Sequence, residues 1–263
     1  AILSVIRNML IVIVGIVWVY LLKDNRYMGR IYSQLIISAV ILLFVFYNLS
    51  KISKFKFDKK YIIYSLNFGV PLIPHVLSAF ILNEFDRIII NQLNGSYQTG
   101  LYSFAYNIGM IMMVFIGATN NAWVPIFFEN MKNENYDKIQ EMAEKYSKYI
   151  FLIGLVLCLF SKEIIMIMAD EKYYSVLNIV PLIVVGYIFV FMYTLYTNYS
   201  FYRKKTWLIS IFTFIAGGIN IILNYIYIPK YGYVAAAWTT MASYLILFIL
   251  HYINVRYILK EKL

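Results

Sequence analysis

Two stretches of this chain, Val176–Tyr202 and Trp207–Ile228, contain no charged residue. Each is longer than the roughly 20 residues a helix needs to cross a hydrocarbon core of about 30 Å. Lipid offers no partner for backbone N–H and C=O groups, so such segments must satisfy them internally, as helices. Leu10–Leu22 and Leu35–Tyr47 are uncharged as well. The chain is 62% hydrophobic and 14% charged, against about 45–50% and about 25% in soluble domains. This surplus cannot all be buried in a soluble core, so the fold class is all-α, integral and polytopic.

The hydropathy pattern predicts eight spans, at about 4–22, 31–49, 61–83, 101–127, 149–161, 175–199, 207–228 and 234–254. Ser161–Glu171 reads as an interfacial helix with Ile164, Ile165, Ile167 and Met168 on its apolar side. Residues 129–148 read as a solvated amphipathic helix, with Ile139, Met142 and Tyr146 at helical spacing. Loops after the second, fourth and sixth spans and the C-terminal tail hold 5, 4, 3 and 3 Lys and Arg. Loops after the first, third, fifth and seventh hold 3, 0, 2 and 1. The positive-inside rule then places both ends in the cytoplasm. It also accounts for the net charge of +10 without nucleic acid. KISKFKFDKK, at 51–60, is the most basic stretch and the best internal boundary; such a loop anchors topology and attracts anionic lipid. The lone Cys158 reads as a small buried apolar residue. The chain opens at Ala1 in sequence that already reads as membrane span, so an N-terminal part is expected to be missing.

The third span carries the unusual chemistry. Pro71 and Pro74 break it, and its helical character continues to Leu93, where Asn94-Gly95 forms a turn. Tyr61 to Leu93 would make roughly 50 Å of helix, more than the bilayer core. On it lie Asn67, His75, Glu84, Asp86 and Arg87. Ionisable groups within a span usually face a cavity and mark a pathway. The plainer reading is an interfacial Glu84–Arg87 pair at i, i+3, with His75 a neutral core residue. The fourth span holds Asn107, Asn120, Asn121, Trp123 and Pro125, and the seventh Gly217, Gly218, Asn220 and Asn224. Buried amides can bind sugar hydroxyls, being donor and acceptor at once, or can join helices. The two histidines, His75 and His251, lie in separate spans, and no phosphate loop, nucleophile triad or metal-ligand spacing is present. No enzyme, cofactor or metal is therefore expected.

The stretch FGVPLIPHVLSAFILNEFDRIIINQLNGSYQTGLYSFAYNIG (68–109) resembles the seventh and eighth spans of bacterial polysaccharide flippases. These export O-antigen and capsule repeat units and belong to the multidrug/oligosaccharidyl-lipid/polysaccharide (MOP) superfamily. The resemblance rests on Pro71, Pro74, Asp86, Arg87, Gly95, Gly100 and Tyr102. NNAWVPIFFE (120–129) is similar to the end of the eighth span. INIILNYIYIPKYGYVAAAWTTMASY (219–244) is similar to the eleventh and twelfth, through Asn220, Asn224, Pro229, Gly232 and Ala236. MGRIYSQL (28–35) is similar to the start of the sixth. The resemblance implies two lobes of six helices around a V-shaped cavity, with 57–263 the second lobe and 1–56 the last two helices of the first. Four helices would be absent, and this chain alone would not transport.

It also implies a function: moving an undecaprenyl-pyrophosphate-linked oligosaccharide across the cell (inner) membrane. The implied partners are that substrate, membrane lipids, H+ or Na+ as coupling ion, and polysaccharide polymerases. The candidate cavity residues are Asp86, Arg87, His75, Asn67, Asn107, Asn121, Asn220 and Asn224. Arg87 would contact a phosphate or acidic sugar, and Asp86 would tie an ion or proton to the conformational cycle. The rivals are a MATE-type multidrug antiporter, a membrane polymerase or ligase for lipid-linked sugars, and a helical scaffold. The outer loops expected at 94–100 and 229–233 are too short for the polymerase.

Overall fold

The computed structural model describes residues 2–22, 27–52, 58–70 and 73–259. The described residues form helices α1 (Ile2–Leu21), α2 (Tyr27–Ile52), α3 (Lys59–Gly69), α4 (Ile73–Gly109), α5 (Ile111–Lys132), α6 (Tyr136–Leu159), α7 (Ser161–Met168), α8 (Val180–Tyr202), α9 (Thr206–Tyr231) and α10 (Tyr233–Ile253). A 3₁₀ turn at Glu171–Asn178 precedes α8, and a π turn at Asn254–Ile258 follows α10. The chain divides into two compact units, Ala1–Ile63 and Tyr64–Leu263. In the first, α1 and α2 pack on each other. Ser33 is buried there, and Trp18 meets Tyr32 edge-on at 6.0 Å. Pro71 and residues 53–57, the middle of the basic 51–60 stretch, lie outside the described residues.

Five described helices are long and apolar enough to cross a membrane, or six if the bent pair α6–α7 is one span. One of the five, Val76–Lys132, is not a single rod. At Gly95, with φ 84° and ψ 173°, helical geometry stops. Tyr102 bonds to Asp86 and Tyr106 bonds to Asn83 across that point. In a straight helix the second pair would sit roughly 35 Å apart. So α4 is a hairpin whose limbs, 73–94 and 96–109, run back along each other. The expected turn at Asn94-Gly95 is present, but the loop expected over 94–100 is helical except at Gly95.

Three other boundaries differ from expectation. The amphipathic 129–148 stretch does not stand apart: α5 absorbs its start and α6 continues the rest straight into the fifth span. Helix propensity persists through the polar segment, so nothing stops the helix at Lys148. The sixth span starts at Val180 rather than 175, because Pro181 sits in its first turn and cannot lie deeper in a helix without losing a hydrogen bond. The seventh runs on to Tyr231, with Pro229 inside it. A helix forms where the interfacial one over 161–171 is expected, but α7 ends at Met168 and is bent 54° from α6. Its Ile165 is buried while Ile167 and Met168 are exposed. Cys158 is half-buried.

A second hairpin pairs α9 with α10 through Gly232, at φ 62° and ψ −153°. That region is open essentially to glycine alone. A Cβ there would also lie 2.7 Å from Gln98 Oε1, the atom that accepts the Tyr233 N–H at 3.4 Å. Gln98 follows directly on the Gly95 turn, so the two hairpin tips meet at one end of the unit. Gly232→Ala is expected to cost about 1–3 kcal/mol, seen as earlier thermal aggregation of the detergent-solubilised protein. Large exposed side chains such as Leu42, Leu43, Phe214 and Ile222 cover the outside. That much apolar surface suits lipid contact and not water.

Candidate functional site

The two hairpins bring their polar residues together inside the 64–263 unit. Asp86, on the first limb of α4, is 0% exposed. Its Oδ1 accepts Asn224 Nδ2 at 2.6 Å from α9. Its Oδ2 accepts the Tyr102 hydroxyl at 2.6 Å from the second limb of α4, and the Thr240 hydroxyl from α10. Asn224 Nδ2 also donates to Asn220 Oδ1 at 3.0 Å, and Asn220 Nδ2 donates to Thr240 Oγ1 at 3.3 Å. The bonds therefore close into a ring: Asp86, Asn224, Asn220, Thr240 and back to Asp86. The Thr239 hydroxyl adds a bond to Asn224 Oδ1. Small residues Ala235, Ala236 and Ala237 on α10 are buried beside it and permit the close approach that side-chain bonding between membrane helices needs. A neighbouring layer joins Asn83 Oδ1 to the hydroxyls of Tyr106 (3.1 Å) and Tyr244 (2.9 Å).

The ring explains how a carboxylate sits inside a membrane helix bundle. A buried ion without partners costs far more than a fold can supply, and here three donors converge on it. Asn224→Ala removes the donor on Oδ1 and breaks the ring at two points. Bonds between membrane helices are worth about 0.6–2 kcal/mol each, so the variant should lose about 1–3 kcal/mol. The readout is the temperature at which half the solubilised protein stays monodisperse.

Arg87, one residue on, points elsewhere. Its side chain is 20% exposed. Its guanidinium pairs with Glu84, and its Cζ lies 4.9 Å over the Tyr106 ring. The Glu84–Arg87 pairing that the spacing allowed is thus made. Arg87 Nε is buried and has no hydrogen-bond partner.

The structure unites Asp86, Asn220 and Asn224, and sets Arg87 on the adjacent face of the same turn. Asn67, Asn107 and Asn121 are exposed on the surface of the unit. His75 is part of α4, but its side chain lies outside the described residues. His251 is a core residue, stacked on Tyr193 at 5.7 Å and edge-on to Phe212 at 5.3 Å. Sequence reasoning left out Tyr102, Thr239, Thr240, Asn83 and Tyr244 as site residues. Their one signal is spacing: Tyr102 and Tyr106 share a helix face, as do Asn220 and Asn224.

A sequence profile of the MatE family matches residues 71–226, which holds the Asp86 and Asn224 side of this ring. The chain belongs to the MatE family. A second profile, of the polysaccharide biosynthesis proteins, matches residues 1–131. The chain is 25% identical over 190 residues to "Lsg locus putative protein 1" of Haemophilus influenzae, covering 69% of this chain and 47% of that protein. It is 24% identical to an uncharacterised membrane protein of Methanocaldococcus jannaschii, covering 93% of this chain and 51% of that one. The chain thus spans about half the length of these curated relatives. An outward-facing multidrug resistance MATE family transporter of the MOP superfamily shares its fold at a TM-score of 0.66 and 15% identity, over 99% of this chain and 63% of that one. A MATE solved in complex with MaL6 gives 0.65 and 17%, with the same coverage. The MatE and polysaccharide biosynthesis matches agree with the resemblance read from the sequence.

Proposed function

We propose that this MatE-family chain is part of a transporter that flips a lipid-linked oligosaccharide from the inner to the outer leaflet of the cell membrane. We assign 57–263 to its second lobe and 1–56 to the first. One observation carries the reading: Arg87 keeps a buried Nε–H with no acceptor. Leaving a buried donor unmet costs about 1–3 kcal/mol, which a substrate oxygen would return. Guanidinium suits phosphate and carboxylate, the acceptors such a substrate offers. The polysaccharide biosynthesis match covers both Asp86 and Arg87.

Asp86 serves a different task in this scheme. It is sealed from substrate, and its ring ties α4 to α9 and α10. Protonation, or displacement of its donors by Na+, removes the reason for three helices to converge on it. Proton or sodium arrival would thereby bias one packing of the unit over another, the differential contact that alternating access requires. No step calls for bond-making chemistry, so transport and not catalysis is the activity proposed.

A multidrug antiporter is the second reading, favoured by the MatE match over 71–226. Cells lacking their repeat-unit exporter, supplied with the gene product that contains this chain, separate the two. Restored surface polysaccharide supports the flippase; resistance to cationic dyes without polysaccharide supports the antiporter.

The charge asymmetry supports cytoplasmic N- and C-terminal ends. In a Cys158→Ala background, an impermeant thiol reagent applied to intact cells should label Ser96→Cys, at the Gly95 tip, and spare Lys54→Cys. Labelling of position 54 would refute this orientation.

A further inference from the structure

Away from the ring, α5, α6 and α8 line a half-open cavity of about 630 Å³, within the range of small-molecule sites, about 300–1,000 Å³. Trp123, Phe151, Met192 and Leu195 line it, together with Glu144 and Lys148. Helix α6 carries its last charge at Lys148, and Tyr149–Leu159 has none. The cavity therefore straddles the level at which this helix passes from headgroups into hydrocarbon.

Three features describe its ligand. Glu144 and Lys148 stand four residues apart, on one face of α6 and roughly 5–6 Å apart at Cβ. Both are exposed, and no ion pair joins them; Glu144 Oε1 accepts only the Gln140 amide, at 3.3 Å. A negative and a positive group thus lie side by side at headgroup level. Third, Trp123 is 1% exposed and its Nε1–H has no partner. Its ring meets Tyr146 edge-on at 5.9 Å, so this donor lies at the same height as the two charges.

We propose that the cavity binds a zwitterionic phospholipid with a primary ammonium, of the phosphatidylethanolamine class. Its ammonium donates to Glu144, its phosphate meets Lys148, an ester carbonyl accepts the Trp123 N–H, and an acyl chain lies along Phe151, Met192 and Leu195. A phosphatidylglycerol head has no cation for Glu144 and sets its phosphate against that carboxylate. A choline head has the cation but no N–H to donate.

The test uses the full chain in nanodiscs, with Trp18, Trp207 and Trp238 changed to Phe so that Trp123 alone emits. Acyl-dibrominated phosphatidylethanolamine, phosphatidylglycerol or phosphatidylcholine is then titrated in as quencher. Half-maximal quenching by the ethanolamine lipid is expected at about two- to fivefold lower mole fraction than by the other two, the scale of an exposed charge pair. Glu144→Gln should erase the preference over phosphatidylcholine, and Glu144→Lys should turn it toward phosphatidylglycerol. Glu144 is exposed, so the fold survives its replacement, and unchanged circular dichroism confirms it. Equal quenching by all three lipids, or a preference that survives Glu144→Lys, would overturn the proposal and leave ordinary annular lipid.

Discussion

Asp86→Asn should abolish export while the protein inserts and accumulates close to normally. Asparagine keeps the size of aspartate and can still accept from Asn224, but it carries no charge and cannot take up a proton. One of its two polar termini becomes a donor, facing the Tyr102 and Thr240 hydroxyls that now donate to Asp86. Hydroxyls can turn to accept, so the ring has a route to survive. What is lost is the ability to alternate between two protonation or ion-bound states. Asp86→Leu should do more, removing every acceptor for three donors at once, and lower accumulation as well. If Asp86→Asn exported at the wild-type rate, Asp86 would be helix glue and nothing else. Surface polysaccharide divided by membrane-inserted protein is the quantity to compare.

Arg87→Ala should also abolish export, for a different reason. Its surroundings tell against a purely structural role. Glu84 keeps 38% of its side chain exposed, so water takes over its carboxylate once Arg87 is gone, and losing the pair costs about 1 kcal/mol. Arg87→Ala also removes the buried Nε–H and uncovers the Tyr106 face. A structural pair predicts normal export at slightly lower stability; a substrate contact predicts lost export at nearly unchanged stability. Arg87→Lys should recover only part, because an ammonium keeps the charge but not the planar fork. Glu84→Gln, which leaves the guanidinium in place, should retain most export.

The sequence made the elements legible where physics acts locally. Long uncharged runs became helices, and Asn94-Gly95 and Gly232 became hairpin turns because their backbone geometry admits little but glycine. The site was legible only in part. Adjacent residues on a helix point roughly 100° apart, so an Asp-Arg pair in a span cannot send both side chains the same way. Which one turns inward depends on helices more than a hundred residues away. Asp86 is buried because Asn224 and Thr240 meet it there, at separations of 138 and 154 residues. For the same reason Asn220 and Asn224 could not be told from Asn67, Asn107 and Asn121 on amide chemistry alone. The first two join the ring, Asn224 on the carboxylate itself and Asn220 on Asn224 and Thr240, and the other three are exposed. Thr240 carries no signal in the sequence, because a threonine in an apolar helix most often bonds its own backbone, as Thr194 and Thr213 do here.

In the proposed function the substrate is a lipid-linked oligosaccharide and Arg87 meets it. Sealed spheroplasts that accumulate the lipid-linked repeat unit permit a direct measurement with a glycosidase too large to cross the membrane. The quantity is the fraction of repeat units it can reach, per membrane-inserted protein. A large fraction is expected with the wild-type protein and a background fraction with Arg87→Ala, equal to that of cells without the protein. An equal, large fraction with wild type and Arg87→Ala would contradict the role of Arg87, and a background fraction with the wild-type protein would contradict the flippase itself.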